Sequence, residues 1–171
     1  MVKWLVDCCL MAILFTIFIE DIRSRQVHLY LFIVGFCLFF VKFCHSDADY
    51  ISILINGCFI CVQTLAIFLY IYLTKNDFRK IKEAIGVGDI FMWGLLIFGF
   101  SPINFILFFI ASLFVSLFVY GLFMRKAVSK HIPLAGFQAI QFLILLLGQL
   151  FVHNYNLYSD DLIVNFVING I

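Results

Sequence analysis

A succession of long apolar runs constrains this chain more than anything else in it. A bilayer's hydrocarbon core of ~30 Å takes about 20 helical residues, with ~17 as a lower limit. Runs near that length occupy about 2–19, 28–44, 50–73, 103–124 and 133–152. A shorter one, about 88–101, lies between Gly86-Val-Gly88 and Ser101-Pro102. Proline is tolerated in a first helical turn, so Ser101-Pro102 reads as a tight turn between a fourth and a fifth helix. The expectation is an all-α polytopic membrane protein of about six transmembrane helices, forming a single domain over residues 1–171. Residues 153–171 read as an extracytoplasmic tail resting on the membrane surface, because Leu162-Ile-Val and Phe166-Val-Ile are too short to span.

Composition agrees. Hydrophobic residues make up 65% and charged residues 12% of the chain, against roughly 25% charged in ordinary globular proteins. A soluble fold of this size could not hide so much apolar surface. No Ala-x-Ala-type cleavage site follows the first run, so residues 4–19 read as a retained helix. Basic residues then set the orientation. With the amino terminus outside, the cytoplasmic loops are 20–27, 74–87 and 125–132. They hold Arg23, Arg25, Lys75, Arg79, Lys80, Lys82, Arg125, Lys126 and Lys130, nine of the eleven basic residues. Lys3 and Lys42 fall toward the other face, where Asp47, Asp49, Asp160 and Asp161 collect.

An ionisable side chain within an apolar zone costs on the order of 2.5–3.5 kcal/mol, less near the interface. Asp21 ends the first run and Asp89 begins the fourth, and the topology places both at the cytoplasmic face. Two carboxylates a few ångströms apart share one proton near neutral pH. The ionised member can draw a proton from water while the protonated one donates to a scissile carbonyl. Asp89 follows Gly86-Val-Gly88, and glycine allows a substrate main chain to approach closely. Non-helical backbone at membrane depth persists only where protein or a wet cavity covers it. Taken singly, Asp89 also reads as a helix N-cap, and Asp21 as an interfacial acid paired with Arg23 or Arg25.

Three segments together resemble the type IV prepilin peptidases, a family of membrane aspartyl peptidases. Asp21-Ile-Arg-Ser-Arg-Gln-Val27-His28 resembles a first motif in which Ile-Pro follows the Asp by six and seven places. Gly86-Val-Gly88-Asp89-Ile-Phe-Met resembles the second, Gly-x-Gly-Asp-x-Lys-Leu, with Phe91 in place of the Lys. Lys130-His-Ile132-Pro133-Leu-Ala-Gly136-Phe137 is similar to the Ile-Pro-Phe-Gly-Pro-Phe stretch that opens the family's last helix. The resemblance covers about 20–137. It implies a catalytic pair Asp21 and Asp89, an active-site loop shaped by Gly86 and Gly88, and structural roles for Ile132, Pro133 and Gly136. It further implies cleavage of a short basic leader, typically after Gly, from a prepilin-like protein carrying a hydrophobic helix. No metal and no organic cofactor is implied. The partners would be that substrate and membrane lipid, not nucleic acid, and the site would be the cytoplasmic side of the inner membrane. The cysteine tetrad associated with N-methylation in the long bacterial enzymes has no match, so the chain resembles the short forms of tight-adherence pili or archaeal preflagellins. An alternative is a catalytically inactive homologue acting as a membrane assembly factor. A third is a proton-coupled carrier using the same acids as a relay.

Other polar features read as packing. Ser112, Ser116 and Tyr120 recur every four residues and line one helix face, where hydroxyls hydrogen-bond neighbouring helices; a polar substrate groove is the other reading. Ser52, Asn56 and Gln63 form a similar stripe, as do Gln138 and Gln141. Cys8, Cys9, Cys37, Cys44, Cys58 and Cys61 read as buried apolar thiols. Cys58-x-x-Cys61 has no second pair, and zinc sites take three or four ligands. His28, His45, His131 and His153 are scattered, and the 23 Phe read as core filling and lipid contact.

Overall fold

The computed structural model describes residues 2–46, 49–75, 86–124, 133–151, 156–161 and 164. Among them it is all helical: α1 (Val2–Ser24), α2 (Leu29–Cys44), α3 (Tyr50–Lys75), α4 (Val87–Ile97), α5 (Pro102–Val119) and α6 (Leu134–Phe151). A five-residue π-helical segment, Tyr120–Met124, continues α5. Among the described residues three helices are long and apolar enough to cross a membrane: α3 over Tyr50–Thr74, α5 with its extension over Pro102–Leu122, and α6. α2 and α4 are apolar but shorter, at 16 and 11 residues. α1 is long, but Asp7, Glu20 and Asp21 interrupt its apolar character.

The helix ends follow local chemistry. α1 runs five residues beyond the apolar stretch that defines it in sequence, so Asp21 lies inside its last turns. Arg25 stops it with φ 58° while its backbone N–H donates to the Asp21 carbonyl at 3.1 Å, a left-handed C-terminal cap. Pro102 opens α5 in the first-turn position that a missing N–H allows. The first N–H groups of a helix need outside acceptors, and here Asp160 provides one. Its carboxylate accepts from the Asn104 backbone at 3.2 Å, from Ile103 at 3.3 Å and from the Ser101 hydroxyl at 2.5 Å. The described part of the tail therefore packs into the bundle end and does not merely rest beside it. Leu157 is fully buried, and its carbonyl accepts from Ser101 N–H at 2.9 Å.

α6 lies along α1 and also touches α4 and α5; α2 packs on α1 and α4, and α3 on α4 and α5. Leu10, Leu14 and Ile17 bury the contact face of α1 completely. Beside them runs an aromatic column. Phe142 stacks on Phe39 with centroids 5.2 Å apart and meets Phe100 at 4.6 Å, which in turn stacks on Phe108 at 4.8 Å. Gly99 makes room for it, since a Cβ there would stand 2.6 Å from the Phe142 ring.

Polar side chains inside the bundle pair across helices, as interhelical hydrogen bonding in an apolar solvent requires. Gln138 donates to the Ser112 hydroxyl at 3.1 Å and Gln141 to that of Ser116 at 3.2 Å. Asn56 donates to the Ile97 and Phe100 carbonyls, tying α3 to the end of α4. The six cysteines depart from expectation: all are exposed on the outer faces of α1, α2 and α3. An apolar thiol suits a surface turned to lipid as well as a core, so composition alone does not separate the two.

Candidate functional site

The start of α6 organises the site. Pro133 precedes the helix and accepts the first helical bond, from Phe137 N–H at 3.1 Å. That leaves the N–H groups of the first turn free to donate outward. Two of them, on consecutive residues, each meet a carboxylate. Ala135 N–H donates to Asp89 Oδ1 at 2.9 Å, and Gly136 N–H donates to Asp21 Oδ2 at 2.6 Å. Asp21 arrives from the last turns of α1 and Asp89 from the first turn of α4, so three helices converge on one pair of acids. The positive end of the α6 dipole faces both carboxylates and favours negative charge there.

Each acid is held further. Asp89 is the third residue of α4, and its Oδ2 accepts from the backbone N–H of Gly86, the N-cap, at 3.2 Å. This is one half of a capping box, with the N-cap side chain absent. Asp89 is therefore not itself the N-cap. Asp21 is 8% exposed and turned into the bundle toward Gly136. The two carboxylates therefore meet consecutive amides of the same helix start.

The glycines act through space and not through unusual backbone angles. Gly86 has φ −69° and ψ 143°, ordinary extended values. A Cβ there would stand 3.0 Å from Asp89 Oδ2, whereas at Gly88 it would meet open space. At Gly136 a Cβ would come within 3.0 Å of both Cβ and Oδ2 of Asp21. Of the residues singled out in sequence, Asp21, Asp89, Gly86, Pro133 and Gly136 thus gather at one site, with Gly88 beside them. Ile132 lies outside the described residues.

His28 and Phe91 both have visible contacts. His28 folds back on α1: its backbone N–H donates to Glu20 Oε2 at 3.0 Å, and its ring nitrogen pairs with the same carboxylate at 3.0 Å. Phe91 stacks on Phe32 at 5.5 Å, an apolar contact on the α2 side.

A cavity of about 160 Å³ opens beside Asp89, between α3, α4, α5 and α6. Gln63, Asp89 and Trp93 line it together with Ile67, Phe109, Leu113 and Leu134. Among the described residues no three His, Cys, Asp or Glu side chains gather in a way that could hold a metal ion.

One acid escapes a reading of the sequence. Asp7, within the first apolar run, is buried and meets the buried Lys42 of α2 at 2.6 Å. Its position inside that run is the available signal. Leu10, Leu14 and Ile17, all fully buried, separate it from Asp21 along α1, so that face offers no polar path between the two. Comparison with protein-family models, with curated proteins and with solved structures finds no match to this chain.

Proposed function

We propose that the chain is a membrane aspartyl endopeptidase that removes the short basic leader of prepilin-like precursors at the cytoplasmic membrane face. One observation carries the reading: Asp21 and Asp89, from different helices, accept hydrogen bonds from adjacent backbone amides at the start of α6. In this reading all six helices belong to the membrane-embedded domain, with the amino terminus outside and the basic loops inside.

The chemistry follows from a carboxyl pair sharing one proton. The ionised aspartate takes a proton from a water molecule as its oxygen attacks the scissile carbonyl carbon, and the protonated one donates to the carbonyl oxygen. The proton then held by the first aspartate passes to the departing amine as the C–N bond breaks, and one hydroxyl of the tetrahedral intermediate returns its proton to the second aspartate as the carbonyl re-forms. Fixed backbone donors hold the acids without reorganising during the reaction, which is the economical form of electrostatic support. No metal or organic cofactor enters these steps.

A second reading, an inactive homologue that assists membrane assembly, draws on Phe91. Where the family has a lysine near its second aspartate, this chain places an aromatic ring against Phe32. Cleavage of a prepilin-type substrate by purified protein in liposomes separates the two. The peptidase reading expects processing by wild type and none by Asp21→Asn or Asp89→Asn, with all three proteins folded. Full activity in either variant overturns the two-aspartate assignment, and a folded wild type that processes no leader leaves the inactive homologue standing.

A further inference from the structure

Glu20 stands next to Asp21 on α1. Consecutive helical residues point about 100° apart, so one turn of helix sends Asp21 inward to Gly136 and Glu20 to its flank. There the Glu20 carboxylate is clasped by His28, from the short link between α1 and α2. The imidazole Nδ1 stands 3.0 Å from both carboxylate oxygens, and the His28 backbone N–H donates to Oε2 at 3.0 Å. The Glu20 side chain is 21% exposed and that of His28 67%. The imidazole therefore lies on the outside of the pair and can swing away without opening the bundle.

Charge sets Glu20 apart. In the proposed orientation its end of the bundle carries nine of the eleven basic residues, yet its partner is an imidazole, a cation for only part of the time near neutral pH. A lysine or arginine is charged throughout that range. Among the described acids at this end, Asp21 and Asp89 are already held by the amides of α6. Glu20 is thus the described carboxylate open to an arriving cation. Arg23 and Arg25 follow along the chain and repel one, which confines the attraction to the Glu20 side. A carboxylate has about four lone-pair sites, so the bond from the His28 backbone persists when the ring leaves. We infer that Glu20 is the recognition site for a lysine or arginine side chain of a bound peptide, with the His28 ring as the weaker resident it displaces. A peptide is the occupant because it can carry a cation and a scissile bond on one chain, and Glu20 adjoins the acid pair. The inference deepens the peptidase reading and rests on it for its meaning, but the binding it claims needs no cleavage.

The test measures binding alone, with the full chain in phosphatidylcholine nanodiscs, whose headgroups carry no net charge. The probe is dye-labelled Lys-Lys-Lys-Gly amide followed by fluorescence anisotropy, with Glu-Glu-Glu-Gly amide as its counterpart. Glu20→Gln is expected to weaken binding of the lysine peptide about 3- to 5-fold, the range of a partly exposed ion pair. His28→Ala should tighten it by a similar factor, because the resident is gone, and Glu20→Lys should prefer the glutamate peptide. The opposite signs separate recognition from scaffolding, since a clasp that only shaped the link would make Glu20→Gln and His28→Ala fail alike. Parallel losses in those two variants overturn the inference. So does wild-type affinity in Glu20→Gln, which moves the cation to Asp77, Glu83 or another acid. Loss of peptide binding when phosphatidylethanolamine replaces phosphatidylcholine reassigns Glu20 to a lipid ammonium and overturns it also. Thermal unfolding identifies any variant that misfolds; if Glu20→Gln does, the peptide preference of Glu20→Lys decides, and continued preference for lysine overturns the assignment. A wild type that cleaves no leader refutes the peptidase reading without touching this titration.

Discussion

Gly136→Ala places one methyl group where α6 crosses α1. The new Cβ would lie 3.0 Å from Asp21 Cβ and Oδ2 and 3.4 Å from the Phe18 carbonyl oxygen. Carbon atoms pack best at about 3.5–4.0 Å. The obstacle is the root of a side chain on a helix, not the tip of a flexible one, so the two helices must part by about 0.5 Å. The Gly136 N–H to Asp21 bond then stretches from 2.6 Å toward about 3.1 Å, beyond the ~2.7–2.9 Å of a good charge-assisted bond. Hydrogen bonds to charged groups contribute about 1.5–3 kcal/mol, and overpacking costs about 1–3 kcal/mol. A net loss of about 2 kcal/mol in stability is expected, and under the proposed peptidase function cleavage is slowed by about 10- to 100-fold as Asp21 shifts from its partner. Gly148→Ala supplies the control on the same helix. A Cβ there meets nothing within 4 Å, so helix propensity alone should raise stability by up to about 1 kcal/mol. The assays are thermal unfolding in detergent and initial rates on a prepilin-type substrate. Equal behaviour of the two alanine variants in both would refute the steric argument.

Three further outcomes are expected. Lys42→Met strands the buried Asp7 and should cost about 3–5 kcal/mol, while Asp7→Leu with Lys42→Met should recover most of it; a double-mutant cycle in unfolding experiments checks this, and additive losses would contradict the pairing. Asp160→Ala removes the acceptor at the start of α5 and should cost about 1–2 kcal/mol, read as a lower melting temperature. In a cysteine-free background, Ser24→Cys should label with an impermeant maleimide from the cytoplasmic side and Ser46→Cys from the other; the reverse pattern overturns the proposed orientation.

The helices are legible in the sequence because uninterrupted apolar length is the signal a nonpolar solvent demands. Runs at 28–44, 50–73 and 133–152 correspond to Leu29–Cys44, Tyr50–Lys75 and Leu134–Phe151 within two residues at each end. Boundaries set by single hydrogen bonds are less visible. α1 passes through Asp21 because the acid finds a partner across the bundle, and α4 stops at Ile97, where the turn through Gly99 accommodates Phe142. The site is readable as two acids and a Pro-x-x-Gly segment. What holds them together is not, since the donors are main-chain amides that every residue but proline carries. Asp7 and Lys42 stay hidden for a related reason: a charge inside an apolar run identifies itself only when its partner on another helix is known.

Asp7 and Asp21 mark two polar levels on α1. They are 14 positions apart (21 − 7), or about 21 Å at ~1.5 Å per residue. The apolar layer between them is thinner than the ~30 Å of an average hydrocarbon core, whereas the 26 residues of α3 reach about 39 Å. In a bilayer, the first mismatch is relieved by local thinning and the second by tilt. The bundle would therefore dimple the leaflets around α1 and lean α3 away from the normal. Acyl-chain length becomes a control variable: shorter lipids should bring headgroups and water down to the acids at less elastic cost than longer ones.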